Sequence, residues 1–179
     1  WTLARVANAG GTGSATLAQG TLLSSGTAGS RWWIRLRTSG TTIGARGSHA
    51  MRDVSTYDAA AIAFGRRWLA RDLESKVPVI VLGPSPEAAP DSSLVHMCAW
   101  IGDAFGTSVE WLAGATGLDV ARLSARLVEL EATGEAVLLA GPTAGFVRLF
   151  DAGTHVRLGP GSRLMDTGGQ KGLDRPISR

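Results

Sequence analysis

The run RTSGTTIGARGSH, from Arg37 to His49, concentrates groups that hold anions. Thr38, Ser39, Thr41 and Thr42 supply hydroxyl donors. Gly40, Gly44 and Gly47 let backbone amides approach a ligand closely, and Arg46 adds a fixed positive charge. Charge-assisted hydrogen bonds to phosphate are strong, and turns that present successive N–H groups favour anions, so this donor set suits a polyphosphate. It is not a Walker loop, because no Gly-Lys-Ser/Thr follows at the required offset. A glycine–serine turn with no ligand has the same spacing, and spacing alone does not separate the two.

Other residues invite chemistry less strongly. GGTGSA, Gly10 to Ala15, has the outline of a dinucleotide fingerprint, but LARVANA before it is a poor buried strand and the third glycine of that motif is missing. A flexible linker fits it better. His96 stands among Leu94, Met97 and Trp100, where a satisfied core histidine and a substrate contact both fit. His49 either caps or lines the hydroxyl loop. Cys98, between Met97 and Ala99 with no partner base in sequence, reads as a buried inert thiol. As the only cysteine it excludes an internal disulfide and a multi-cysteine metal site, and it suits a reducing cytoplasm.

The elements that must position these groups follow from periodicity. Residues 1–30 are rich in Gly, Ser, Thr and Ala with no sustained period, which predicts an irregular segment. Ser55 with Asp58 three residues on forms a short-acid capping box, and Ala59, Ile62, Ala63 and Trp68 follow at helical spacing, predicting a helix from Thr56 to Leu73. VPVIVLG, Val77 to Gly83, is a short apolar β-branched run of the kind buried on both sheet faces. SLVHMCAWIGDAFG returns to helical period, SVEWLAG is a second strand, and Asp119 caps VARLSARLVELEAT, whose Val120, Leu123, Leu127 and Leu130 share one face. AVLLAG is a third strand, TAGFVRLFDAG a helix closed by Gly153, and SRLMDTGG a fourth strand entering a turn. This alternation predicts an α/β fold, a parallel sheet with helical crossovers, with ligands at the carboxyl ends of its strands.

Composition bounds the function. The chain has 179 residues, 44% of them hydrophobic, enough for a core. Its net charge of +3 is spread along the chain, without basic clusters interleaved with aromatics, so no nucleic-acid partner is expected. No apolar run approaches the roughly 18 residues of a membrane helix, and no charged leader precedes an apolar one. A soluble cytoplasmic protein is the expectation. Trp1 at the start, and a final KGLDRPISR directly after the MDTGG turn, suggest a piece of a longer protein.

TSGTTIGARG resembles the phosphate loop of the adenylate-forming (acyl-CoA synthetase, ANL) superfamily, where a Thr-Ser-Gly-Thr-Thr-Gly-x-Pro-Lys/Arg-Gly run holds the phosphates of ATP. PSPEAAPDSSLVHM and RLMDTGGQKG, in the same order and at matching spacing, narrow the resemblance to LuxE-type acyl-protein synthetases. It extends from about Arg37 to the end of the chain. The resemblance implies that residues 31–179 are part of the large N-terminal domain of an adenylate-forming enzyme, truncated at its C-terminus. Thr38, Ser39, Gly40, Thr41, Thr42, Gly44, Arg46 and Gly47 would then hold the β- and γ-phosphates. Gly168 and Gly169 would lie against adenosine, with Lys171 at a basic position of the LuxE-type subset, and His96 would border the acyl pocket. The implied reaction is ATP-dependent activation of a long-chain fatty acid to an acyl-adenylate, followed by transfer to a protein thiol. ATP and Mg2+ are the implied cofactors and an acyl-accepting reductase the implied partner. No catalytic base is visible. The acylated cysteine of such enzymes lies in their C-terminal part, in keeping with an inert Cys98.

The chain departs from that pattern in two ways. Ile43 stands where the family has glycine or serine, and a β-branched residue resists the positive φ of a tight turn, a role Gly44 can take one residue later. The family's Tyr-Gly-x-Thr-Glu motif, its ribose-binding aspartate and its C-terminal domain are not in the sequence, so the magnesium and ribose contacts they supply lie outside it. A carboxylate–CoA ligase of the phenylacetate type, and a non-catalytic nucleotide-binding module, share the features present. If the loop register is right, Ile43→Gly leaves ATP affinity unchanged or raises it, because glycine lifts the restriction on φ. A severalfold loss of affinity in calorimetric titration contradicts that register.

Overall fold

A strand whose side chains alternate between two apolar environments has to be covered on both faces, and VPVIVLG meets that condition. In the computed structural model, which describes residues 54–114 and 117–168 together with the backbone of four strands between residues 14 and 51, Val77–Pro84 is β5, and all of it before Pro84 is buried. The four earlier strands, β1 (Ser14–Leu17), β2 (Gly20–Ser24), β3 (Trp32–Arg37) and β4 (Ser48–Met51), form an antiparallel sheet in sequential order. The expected irregular segment thus carries two strands. SATL and GTLLS are too short and too weakly alternating to announce themselves without the partner that completes their ladder.

From residue 54 onward the order is α1 (Ser55–Trp68), β5, α2 (Ser93–Phe105), β6 (Gly106–Gly114), β7 (Gly117–Leu118), α3 (Val120–Thr133), β8 (Leu138–Gly141), α4 (Thr143–Asp151) and β9 (Arg163–Asp166). The five strands lie in the order β7-β6-β5-β8-β9. β5 pairs parallel with both β6 and β8, and β8 pairs parallel with β9. The α/β fold with a mostly parallel sheet and helical crossovers is therefore present. The exception is β7, a two-residue antiparallel partner to the end of β6. It was missed because it is a tight return of the chain with no apolar period of its own.

The crossovers sort the core into two layers. Val77, Val79 and Val81 of β5 and Leu138 and Ala140 of β8 pack with Cys98, Trp100, Ile101 and Phe105 of α2, and with Ala61 and Ile62 of α1. Ile80 and Leu82 of β5 and Leu139 of β8 face the other way, onto Leu123, Leu127 and Leu130 of α3 and Phe146 and Leu149 of α4. The chain leaves β5 through α2 on one face to reach β6, then recrosses through α3 on the opposite face to reach β8. That alternation is what right-handed connections require when the strand order reverses.

Local signals set most boundaries. Asp119 caps α3, accepting from the Arg122 amide at 3.0 Å, and Gly134 ends it in the left-handed region at φ 67°. Ser92 caps α2 through the Val95 amide. The capping box expected at Ser55 does not form: Val54 is the cap position, with no side-chain bond, and the Asp58 carboxylate turns instead to His96. α1 also ends at Trp68 rather than Leu73, with the Leu69 and Ala70 amides both returning to the Gly65 carbonyl.

Leu82 locks the two central strands and α4 together. A Cβ on Gly141 of β8 would stand 2.7 Å from Leu82 Cβ, and one on Gly145 of α4 would stand 2.8 Å from the same atom. Alanine at position 145 gains about 1 kcal/mol of helix propensity. It also drives into an atom next to the backbone that cannot swing aside, and overpacking of this kind costs about 1–3 kcal/mol. Gly145→Ala is therefore expected to lower unfolding stability in urea. Gly114→Ala, at a site with no atom within 4 Å of the added carbon, should leave stability nearly unchanged.

Candidate functional site

In a sheet whose strand order reverses, the two chain crossings diverge at the carboxyl ends of the strands and leave a crevice there. Here the reversal falls between β5 and β8, so the position at which that rule sets a crevice lies between Gly83 and Pro84 on one side and Gly141 and Pro142 on the other. α2 and α4 begin at this edge, and their amino-terminal amides and dipoles favour negative charge.

The edge is closed next to the crevice by a hydrogen-bonded staple. Thr143 Oγ1, at the first position of α4, donates to the Asp166 carboxylate at 2.9 and 3.1 Å. Asp166 Oδ1 also accepts the Gly168 amide at 2.8 Å, an Asx-type turn that carries Gly168 into the left-handed region at φ 76°. The Gly168 carbonyl accepts the Thr143 amide at 3.2 Å, satisfying a helix-start donor that Pro142 has no side chain to reach. Thr167 completes the staple, donating to the Gly141 carbonyl from its amide at 3.0 Å and its hydroxyl at 3.2 Å. The chain thus leaves β9 toward residue 169 along a direction set by two strands and a helix.

A second feature places the start of α1 at the same edge. Asp58 meets His96 near the amino ends of α1 and α2, and Gly65 meets Phe105 near their carboxyl ends, so the two helices run parallel. α2, as a crossover between parallel strands, runs opposite to β5, so both helices begin at the carboxyl edge. β4 ends at Met51 and α1 begins at Ser55, a covalent reach of about 14 Å. β3 and β4 pair antiparallel with Arg37 opposite Ser48, so the hydroxyl-rich run 38–47 is the connection between two paired strands.

The sequence-derived candidates divide accordingly. Gly168 lies in the staple. Thr38, Ser39, Gly40, Thr41, Thr42, Gly44, Arg46, Gly47, Gly169 and Lys171 fall outside the described residues. His96 lies one turn into α2, 1% exposed, its Nε2 at 2.7 Å from Asp58 Oδ1 and its ring 5.7 Å from that of Tyr57. Sequence reasoning missed Thr143 and Asp58 as site-forming residues and named Asp166 and Thr167 only within their motif. The Asp-Thr-Gly of the turn was the available signal, whereas Thr143 stands 23 positions away from its partner. A groove of about 400 Å3 between Arg66, Arg71, Lys76 and Phe105 opens at the opposite, amino edge. Topology and glycine chemistry favour the carboxyl edge over that groove as the functional one, since Arg66 and Lys76 stand at helix carboxyl ends, where cations offset the dipole.

Neither a scan against models of known protein families nor a search of curated proteins gives a match for this chain. The functional reading therefore rests on residues and geometry. Among the described residues there is no group of three His, Cys, Asp or Glu side chains that could hold a metal ion, and no helix is long and apolar enough to cross a membrane.

Cys98 is fully buried and burial pushes its thiol up to about 12. Iodoacetamide at neutral pH should leave it unlabelled in the folded chain and label it in urea. Below its ordinary value near 9 both states hold the proton. Above that value the unfolded chain loses the proton first, so stability falls with rising pH by up to about 1.4 kcal/mol per pH unit. Tyr57, raised by burial and by the nearby Asp58 carboxylate, adds in the same direction at higher pH. Urea titrations of wild type and Cys98→Ala between pH 8 and 10 should therefore show a shallower decline in the variant.

Proposed function

We infer that this chain carries the nucleotide-binding part of an adenylate-forming ligase, similar to the LuxE-type acyl-protein synthetases. The reading is supported by the motif TSGTTIGARG, with the strands on either side of it, β3 and β4, paired antiparallel. The stapled turn into Gly168, at the carboxyl edge, adds a second glycine site for a nucleotide to rest against.

On this reading a fatty-acid carboxylate attacks the α-phosphate of ATP, pyrophosphate leaves, and the acyl group of the resulting adenylate passes to a protein thiol. The chain's own contribution is positioning and charge stabilisation: hydroxyls, loop amides and Arg46 on the β- and γ-phosphates, and the amino ends of α2 and α4 facing the same edge. Magnesium belongs to the nucleotide in this scheme. Cys98, on the face of α2 buried against β5, is not the acyl acceptor on this reading.

Arg46→Ala should weaken ATP binding by about 10- to 150-fold, the equivalent of the roughly 1.5–3 kcal/mol of a hydrogen bond to a charged group. Arg66→Ala, at the amino-edge groove, should leave it unchanged. Equal losses in isothermal titration remove the phosphate assignment, and no ATP binding by the wild-type chain removes the nucleotide reading altogether.

A further inference from the structure

We propose that the groove at the amino edge of the sheet is a binding site for an amphipathic carboxylate, a single negative charge carried on an apolar body. The proposal stands apart from the nucleotide reading, which concerns the opposite edge.

The groove, of about 400 Å3, lies where the carboxyl ends of α1 and α2 meet the connection into β5. That volume falls within the range of small-molecule sites. Its wall is apolar, because Ala70, Leu73 and Ala104 pack with the buried ring of Phe105 on the valine side of the core. Gly65 lets α1 press onto that ring, where a Cβ would stand 3.0 Å from it, and the chain beyond Trp68 then lines the groove. Water against such a wall is displaced favourably by an apolar group.

The rim is basic. Arg66, from the last turn of α1, and Arg71 and Lys76, from the connection, line it with Glu74 as the one carboxylate. Lys76 Nζ donates to the Asp103 carbonyl at 2.8 Å, a bond that fixes the ammonium against the end of α2 without cancelling its charge. Asp72, next to Arg71 in the chain, bonds Arg163 of β9 instead. Cations at helix carboxyl ends partly offset the dipoles, and here that offset is incomplete. Each of the two helix ends is equivalent to about half a negative charge. With Glu74, they balance about two of the three cations and leave a surplus of about one positive charge. One carboxylate neutralises that surplus, whereas a polyphosphate overfills it and a neutral chain leaves it unpaired. The apolar wall calls for a body as well as a charge, which separates an amphipathic carboxylate from a small inorganic anion.

The test is calorimetric titration of the whole chain with decanoate below its micelle concentration and without nucleotide, so that the outcome is independent of ATP binding. Decanoate should bind at one site per chain. Decanol should bind at least about fivefold more weakly, the equivalent of one exposed ion pair, and acetate should give no measurable heat. From hexanoate to decanoate each methylene should lower Kd by up to about fourfold, as for a CH2 taken out of water. Arg66→Gln, Arg71→Gln and Lys76→Gln should each raise the Kd for decanoate by about 1.5- to 5-fold, and the triple variant should bind decanoate no better than decanol. Arg122→Gln, at an exposed arginine of α3 on the opposite face of the sheet, should bind as wild type does. All four positions are exposed, so the variants keep the core, and their urea midpoints should stay near that of wild type. In amide NMR spectra the largest shifts on adding decanoate should fall at residues 66–76 and 104–106. Absence of decanoate binding, equal affinity for decanol and decanoate, or wild-type affinity in the triple variant overturns the proposal. Shifts centred on the carboxyl edge, at residues 141–145 and 166–168, overturn it equally, since the carboxylate then sits at the other site.

Discussion

β5 is buried on both faces between β6 and β8, and the rest of the structure answers to that constraint. A strand with Val on one face and Ile and Leu on the other cannot be solvated anywhere along its length. A helix layer must cover each face, and the chain must cross the sheet once on either side to supply them. The reversal of strand order follows, and with it the crevice between the ends of β5 and β8. Leu82 shows how tight the arrangement is, since the approach of β8 and α4 leaves no room for a Cβ at Gly141 or Gly145.

A core sealed in this way pushes polar chemistry to its edges. The paired charges lie on outer surfaces, as in Arg126, which bonds Glu110 at 2.9 Å and Glu129 at 3.1 Å across β6 and α3. The Arg126–Glu129 pair, on the exposed side of α3, contributes little to stability. The carboxyl edge is different, because there the polar groups are helix starts, glycine turns and short hydroxyl side chains bonded to one another. Thr143, Asp166, Thr167 and Gly168 hold each other at fixed distances, which is the rigidity a binding edge needs. His96 is the exception that enters the core, and it does so with a partner.

Short-range signals proved legible where the deciding contact was local. The α3 cap at Asp119, its leucine face, the buried run of β5 and the glycine closure at 153 all depend on neighbours within a few residues. The glycine turn after β9 belongs to the same class. The hydroxyl-rich run 38–47 lies outside the described residues, and its chemistry rests on donor type and spacing within a contiguous stretch. β1 and β2 were not legible, because a short polar strand is specified by the strand beside it. α1 was misread at both ends: Asp58 had a partner 38 residues away that competed with its local cap.

By itself, then, the sequence determined which segments are helix or strand in the α/β part, which faces of α3 and β5 are apolar, and where phosphate-type donors cluster. Those are consequences of periodicity, propensity and composition, which operate over one or two turns. Only the tertiary structure decided the order β7-β6-β5-β8-β9, the parallel run of α1 and α2, the stapling of Thr143 to Asp166 and the pairing of Asp58 with His96. Each depends on groups distant in sequence brought within hydrogen-bonding or van der Waals range. Which of several chemically equivalent partners a carboxylate or hydroxyl meets is settled by how the helices and strands pack, after the local structure has formed.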